Sequence, residues 1–300
     1  MKKTIVVAGA TGNLGERIIE ALMGKDVEIR AIVRPSSEMA KIHQLEKLGV
    51  KVYVVDMMNV KEVTNACVGA TCIVSALSGL REVIVDTQKI LLDAAVAAGV
   101  PHFIPSDYSL DFTKLSAGEN RNLDWRREFH QYLDKAPLSA TSIFNGAFMD
   151  MLTGQMPLIL FKQNRIFFWG NADQRMDFTS IDDTATFTAH AALDTSAPRF
   201  LRIAGSQLSA REMADVASEV TGKKFKFFRP GGLGAFGMVI KLTRFMVGGE
   251  KELYPAWQGM QYMHNMLDGR AAMKQLYNNR YTNISWTTAK DLLTKHLAGS

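Results

Sequence analysis

Glycines at every third position, Gly9-Ala-Thr-Gly12-Asn-Leu-Gly15, follow the apolar run Ile5-Val-Val-Ala8. This spacing suits an anion. Glycine lets the backbone turn sharply and come close to a pyrophosphate, and a helix opening there offers unpaired N–H groups and a positive dipole end. A merely structural turn is the alternative, but the preceding strand, the amphipathic helix and a second strand at the right distance point to a dinucleotide. Arg34 ends that second strand, where an acidic side chain would hold a ribose 2′-hydroxyl and repel a 2′-phosphate. A guanidinium matches phosphate geometry in a bidentate way, and Ser36 and Ser37 add hydroxyl donors. These residues favour NADP(H) over NAD(H); a solvated loop arginine would leave the preference open.

In open α/β sheets ligands collect at the carboxyl ends of strands. Asp56 and Met57 lie at the end of the third predicted strand, and Ser75, Ala76, Leu77 and Ser78 at the end of the fourth. Asp56 has the chemistry to accept from an adenine amino group, or to cap a turn. A second pattern, Gly232-Leu-Gly234-Ala-Phe-Gly237, satisfies G-x-G-x-x-G. No convincing strand follows its helix and no residue is placed to read a ribose, so the Met-, Phe- and Trp-rich stretch to Asp268 reads as an apolar lid or pocket wall.

Those loops need a sheet to aim them. Apolar runs at Thr4 to Ala8, Glu28 to Val33, Lys51 to Val55, Cys72 to Ala76, His102 to Pro105 and Ala140 to Phe144 alternate with helical segments. This is the signature of a Rossmann-type, doubly wound parallel sheet. The helix from Asn13 to Met23 puts Ile18, Ile19, Leu22 and Met23 on one face and stops at Gly24. Another, Arg81 to Ala98, repeats Val83, Ile84, Ile90, Leu91, Ala94 and Ala95 at helical spacing before Gly99. Later, Ser180-Ile-Asp-Asp183 reads as a capping box opening a helix through Leu193, and Ser209 to Val220 as a helix ending at Gly222. After Asn145 the rhythm loosens. The expected organisation is a dinucleotide-binding domain over 1–153 and a smaller α+β substrate lobe over 154–300, with a soft boundary and some later segments returning to the sheet.

Composition agrees with a packed protein: of 300 residues 47% are apolar and 22% charged. The N-terminal apolar run is too short for a signal peptide and no stretch approaches a membrane span, so the expected location is the cytoplasm, without membrane attachment. Cys67 and Cys72 lack zinc-ligand spacing and read as reduced, semi-buried thiols; the histidines show no ligand spacing either, and no metal is expected. The net charge of +5 is modest, and its one cluster, Gly222 to Pro230, alternates Lys and Phe as a strand with one wet face does. That argues against nucleic acid as the partner.

With the glycine turn, Arg34, the run His102-Phe-Ile-Pro-Ser-Asp-Tyr108 and Asn145-Gly-Ala-Phe-Met-Asp150 in view, the chain resembles the NmrA-like branch of the atypical short-chain dehydrogenases. That branch includes isoflavone-reductase-like enzymes, quinone reductases and redox-sensing regulators. The likeness runs from about Lys3 to Gly222. It implies an NADP(H) site, with Gly9, Thr11, Gly12, Asn13, Leu14, Gly15 and Arg34 at the phosphates. It also implies Ser106, Phe144 and Asn145 nearer the nicotinamide, and a second lobe forming a cleft above it.

The catalytic apparatus is incomplete against that background. The Tyr-x-x-x-Lys pair of ordinary short-chain dehydrogenases is missing, Tyr132 having a lysine only at Lys135. The lysine of the isoflavone-reductase-like enzymes is also absent, its region reading Asn122-Leu-Asp-Trp-Arg126-Arg127. Arg126 or Arg127 would stabilise charge rather than donate a proton, or would belong to a solvated helix face. Tyr108, at the mouth of the fifth strand, and Lys114, on a nearby loop, are further candidates on position alone. His130 and Asp134 share a helix at a spacing that permits a hydrogen bond. The expected activity is hydride transfer from NADPH to a small electron-poor quinone or conjugated carbonyl compound. The alternative is a non-catalytic NADP(H)-binding sensor acting through a protein partner; the oligomeric state stays open.

Overall fold

The computed structural model describes residues 2–299. Its parallel sheet contains β1 (Lys3–Ala8), β2 (Val27–Val33), β3 (Lys51–Val54), β4 (Cys72–Ser75), β5 (His102–Ile104) and β6 (Ser139–Ala140). Their order is β3-β2-β1-β4-β5-β6. Each neighbour pair is parallel, and the order reverses between β1 and β4. The connecting helices are α1 (Asn13–Leu22), α2 (Met39–Lys47), α3 (Val60–Cys67), α4 (Gln88–Ala97) and α5 (Arg121–Leu133). Their apolar faces meet the sheet: Val63, Ala66, Leu91, Ala95 and Phe129 pack with Val6, Ile73 and Phe103 in one buried cluster. Among the described residues no helix is long and apolar enough to cross a membrane.

Two expected elements differ. The helix expected from Arg81 opens instead with a π-helical stretch, Glu82–Thr87, before α4. Thr87 Oγ1 donates to the Glu82 carbonyl and Gln88 Nε2 to that of Ile84, so side chains satisfy acceptors that the wider winding leaves. The run Ala140 to Phe144 is two strands, not one. Thr141 still donates to the Phe103 carbonyl, but β7 (Ser142–Phe144) turns away to pair with β12 (Phe200–Arg202).

The remaining elements are β8 (Ala147–Phe148), β9 (Ile159–Leu160), β10 (Arg165–Phe167), β11 (Met176–Thr179), α6 (Ile181–Leu193), β13 (Ser206–Leu208), α7 (Ala210–Thr221), β14 (Lys226–Phe228), α8 (Leu233–Val247), α9 (Ala256–Leu267) and α10 (Ala289–Ala298). They build two small mixed sheets, β14-β10-β9 and β13-β11-β8. The helix expected from Ser209 forms, opened by a capping box of Ser209 and Glu212. At Ser180 only half forms, because the Asp183 carboxylate turns to the Thr287 amide.

The chain divides into two compact units: Met1–Tyr108, Trp125–Ile143 and Thr184–Leu201 form one, and Ser109–Asp124, Phe144–Asp183 and Arg202–Ser300 the other. The first holds the parallel sheet. Cys67 and Cys72 are both fully buried there, more deeply than the sequence suggests, and burial pushes the Cys67 thiol up to about 12 and Cys72 higher still. Neither is a reactive thiolate near neutral pH.

Candidate functional site

The glycine turn lies where the strand order reverses, the place at which an open α/β sheet leaves a crevice. Gly9 sits at φ +79°, and a Cβ there would stand 2.6 Å from the Ala76 carbonyl oxygen at the exit of β4. A Cβ on Gly15 would overlap the Gly9 carbonyl. Both glycines are therefore required by close backbone approach. The Gly12 amide closes the turn on the Gly9 carbonyl at 3.0 Å, and α1 begins at Asn13 with no side chain capping its N-terminus. Asn13 is turned instead to Arg17, which donates to both its carbonyl and side-chain oxygens. Thr11 is half-buried, Gly12 and Asn13 are exposed, and Leu14 is half-buried. Uncapped N–H groups beside a turn that only glycine can make fit a diphosphate.

Around that turn the carboxyl edge of the sheet supplies the other residues. Arg34 and Ser36 are exposed after β2 in a turn closed by the Ser37 amide on the Arg34 carbonyl. Lys41 in α2, which sequence reasoning missed, brings a second cation: its ammonium donates to the Thr11 carbonyl at 2.9 Å and lies 3.3 Å from Glu16. Its signal was available, as the first basic residue of the helix that follows Arg34. Asp56 is exposed and acts as a turn residue, its Oδ1 accepting from the Met58 amide, while Met57 is buried. Ala76 and Leu77 are half-buried and Ser78 is exposed. Ser106 joins the exits of β4 and β5, its hydroxyl donating to the Leu77 carbonyl at 2.6 Å.

The side chains singled out for chemistry occupy different places. Tyr108 is buried, and burial pushes its phenol above the ordinary range, with the Thr188 hydroxyl working weakly against it. An activated proton donor requires the opposite shift, so this burial counts against that role. Arg126 is also buried rather than on a wet helix face; its Nε donates to the Ser106 carbonyl at 3.0 Å. Arg127 is half-buried and, one residue on, points about 100° around the helix. His130 and Asp134 do not pair with each other: His130 meets Asp107 at 2.6 Å and Asp134 meets Arg199. Gln88, also missed, holds the Ser106 amide at 2.9 Å; a glutamine on the otherwise apolar stripe of Ile84, Leu91 and Ala95 was the available signal.

Lys114, Phe144 and Asn145 belong to the second unit. The Lys114 ammonium donates to the Ala272 carbonyl at 2.8 Å and lies 3.5 Å from Asp111, contacts that suit a structural tie better than a catalytic group. Phe144 is fully buried edge-on to Phe112 at 5.2 Å. The Asn145 backbone is anchored by its amide on the Ser109 carbonyl and by Thr179 on its own carbonyl. Its carboxamide is fully buried with neither nitrogen nor oxygen bonded. Leaving such a group unsatisfied costs on the order of 1–3 kcal/mol, which fits a place where a ligand supplies the partner.

Comparison with known proteins gives the family and the fold. The model of the NmrA-like family matches residues 1–284. Pinoresinol reductase 1 of Arabidopsis thaliana is 25% identical over 245 residues, covering 75% of this chain and 76% of that protein. The solved structure of AtPrR2 with NADP+ and (+)pinoresinol superposes with a TM-score of 0.83 at 20% identity, covering 99% of both chains. That of NADPH-dependent quinone oxidoreductase QOR2 of Escherichia coli, complexed with NADPH, gives 0.73 at 22% identity, covering 98% of this chain and 99% of that one.

Proposed function

Because this chain belongs to the NmrA-like family, we propose that it is an NADP(H)-dependent reductase of small electron-poor molecules, quinones or conjugated carbonyl compounds. The observation that carries the reading is the glycine turn at the strand-order reversal, where a Cβ on Gly9 would meet the Ala76 carbonyl at 2.6 Å beside an uncapped helix N-terminus. Gly9, Gly12 and Gly15 let the backbone approach a pyrophosphate, and the first amides of α1 hydrogen-bond it. Arg34, Ser36 and Lys41 meet the 2′-phosphate, the guanidinium in bidentate fashion. Asp56 and Met57 serve the adenine, and Ala76, Leu77, Ser78 and Ser106 flank the rest of the cofactor. When bound, the reduced cofactor supplies a hydride. The Asn145 carboxamide, a donor and acceptor with no internal partner, answers a polar group of a ligand.

The choice of substrate class follows from what the side chains can do. Tyr108 is buried with a raised pKa, Lys114 is tied to a backbone carbonyl, and no lysine opens α5. A quinone asks for hydride delivery and charge stabilisation, and takes its proton from water, so it needs none of them. The names of the relatives, pinoresinol reductase and quinone oxidoreductase, support reduction of an aromatic or quinone substrate. Purified protein mixed with NADPH and a panel of quinones and enones is expected to oxidise the cofactor in the presence of at least one acceptor, followed by cofactor absorbance. Tight NADPH binding without turnover across the panel would overturn the enzymatic reading in favour of a sensor.

A further inference from the structure

The basic cluster from Gly222 to Pro230 is the start of a longer cationic segment. Residues 222–251 carry seven lysines and arginines against one acidic residue, Glu250, a larger excess than the +5 of the whole chain. Lys223, Lys224, Lys226, Arg229, Lys241 and Lys251 are all exposed, and none of these six has an ion pair among the described residues. Arg244 is paired with Glu250 at 2.8 Å. The alternation of Lys and Phe predicts a strand with one wet face, but β14 is wet on both: Phe225 before it is buried, whereas Phe227 and Phe228 are exposed.

The helix that follows, α8, is apolar on the side turned away from the protein. Its buried contacts are Phe236 and Ile240. Met238, Leu242 and Phe245 have the i, i+4, i+7 spacing of a single stripe, which at about 100° per residue centres opposite those two. Phe245 is 88% exposed and Met246, beside it, 73%. Fraying does not account for this exposure, because the helix is held along its length. The Phe236 ring stacks on Trp169 at 4.9 Å and lies 5.9 Å from His264 of α9, and Trp257 Nε1 closes the helix end by donating to the Gly248 carbonyl at 2.6 Å. Trp169 in turn meets Phe167 edge-on, and Phe167 lies 5.6 Å from Phe228. The basic strand and the apolar helix therefore stand on one aromatic base, and all of these residues lie within the second unit.

A contiguous apolar stripe on a surface marks a contact with a protein or a membrane, and here the charge around it decides which. In a two-fold contact with a second copy the patch meets itself, so its cations stand opposite the same cations. Nucleic acid takes the cations but leaves Phe245 and Met246 uncovered, since contacts to phosphate and sugar are polar. An anionic bilayer answers both features, with headgroup charges for the lysines and the acyl boundary for the apolar side chains. We propose that residues 222–251 form a docking surface for an anionic lipid bilayer. Met238, Leu242, Phe245 and Met246 enter the interface, and the flanking lysines meet the headgroups. The contact is peripheral, which the lack of a membrane-spanning helix leaves open. It stands whether or not the glycine turn binds NADP(H).

The test is sedimentation of the full chain with vesicles of phosphatidylcholine alone and of phosphatidylcholine with about 30% phosphatidylserine. At about 0.1 M salt the anionic vesicles are expected to capture at least tenfold more protein, and to lose most of it at about 0.5 M. Two variants separate the contributions. Phe245→Ser/Met246→Ser keeps every charge, and Lys223→Ser/Lys224→Ser/Lys226→Ser keeps the apolar stripe; each is expected to lower capture by roughly fivefold or more, with circular dichroism unchanged because the substituted side chains are exposed. No preference for anionic vesicles, or capture unchanged in either variant, overturns the inference. A dimer that Phe245→Ser/Met246→Ser breaks would give the face to a second copy. Duplex DNA binding that the lysine variant loses and the apolar variant keeps would give it to nucleic acid. Either result also overturns the lipid assignment.

Discussion

Two stretches of this chain carry glycines at nucleotide-loop spacing, and the structure asks opposite things of them. At Gly9 and Gly15 an added Cβ runs into backbone, the Ala76 carbonyl in one case and the Gly9 carbonyl in the other. At Gly232 and Gly234 it meets nothing within 4 Å, and at Gly237 only the His264 ring at 4.0 Å. Both stretches open a helix without a side-chain cap. What separates them is the sheet: the first turn is wedged between β1 and β4, whereas the second leads from β14, whose three residues are all exposed, into a helix with exposed Met238, Leu242, Phe245 and Met246. Glycine spacing alone therefore carries little; the need for glycine, set by how closely another backbone passes, carries the function.

The comparison breaks first at Gly15. Gly15→Ala must displace the Gly9 carbonyl or the start of α1, since the obstruction is backbone and not a movable side-chain end. Overpacking of this kind costs roughly 1–3 kcal/mol, which, if it falls on binding at the phosphate site, is about 5- to 150-fold in NADP+ affinity. Calorimetric titration, with circular dichroism to confirm the fold, checks it. Unchanged affinity would mean that the turn does not hold the cofactor.

Arg34→Asp is the next largest effect and sharpens the assignment to a phosphorylated cofactor. A hydrogen bond to a charged group contributes about 1.5–3 kcal/mol, so NADP+ binding should weaken at least tenfold while NAD+ binding changes little. Equal losses for the two cofactors would remove Arg34 from the 2′-phosphate. Lys41→Ala should act in the same direction but more weakly, up to about fivefold, because an exposed charge contributes about 0.2–1 kcal/mol. A loss confined to NADP+ would mark Lys41 as a phosphate contact; equal losses would leave only its tie to the Thr11 carbonyl.

Period and punctuation made the sheet legible, because strands buried on both faces are short apolar runs and helices between them stop at glycine. Gly9 and Arg34 were legible for the same local reason: their function depends on what a residue does at a strand end. The catalytic candidates were not, since Tyr108, Arg126 and Lys114 were chosen by position, and position does not tell whether a side chain points to solvent or into a core. The break at Thr141 was equally hidden. Thr141, Ser142, Ile143 and Phe144 are all buried, so the run reads as one continuous strand although its second half pairs elsewhere. The hydrogen-bonded cluster of Asp107, His130, Ser142 and Arg199 spans 92 residues by number and has no local pattern to read. Its nearest sequence signal, His130 with Asp134 at helical spacing, named the wrong partner for each.

The smallest effect tests the other side of the comparison. Gly234 lies near the start of α8, a helix of 15 residues, with open space where a side chain would go. A glycine inside a helix costs about 0.5–1 kcal/mol relative to alanine, through the backbone entropy it gives up on folding. With no clash to offset that gain, Gly234→Ala should stabilise the chain by up to that amount, read as a higher denaturation midpoint in urea, and leave NADP+ affinity unchanged. Alanine at Gly15 should do the reverse on both counts. Were Gly234→Ala to weaken NADP+ binding, the second glycine stretch would have to be a ligand loop after all, and the distinction drawn from backbone approach would fail at its weaker end.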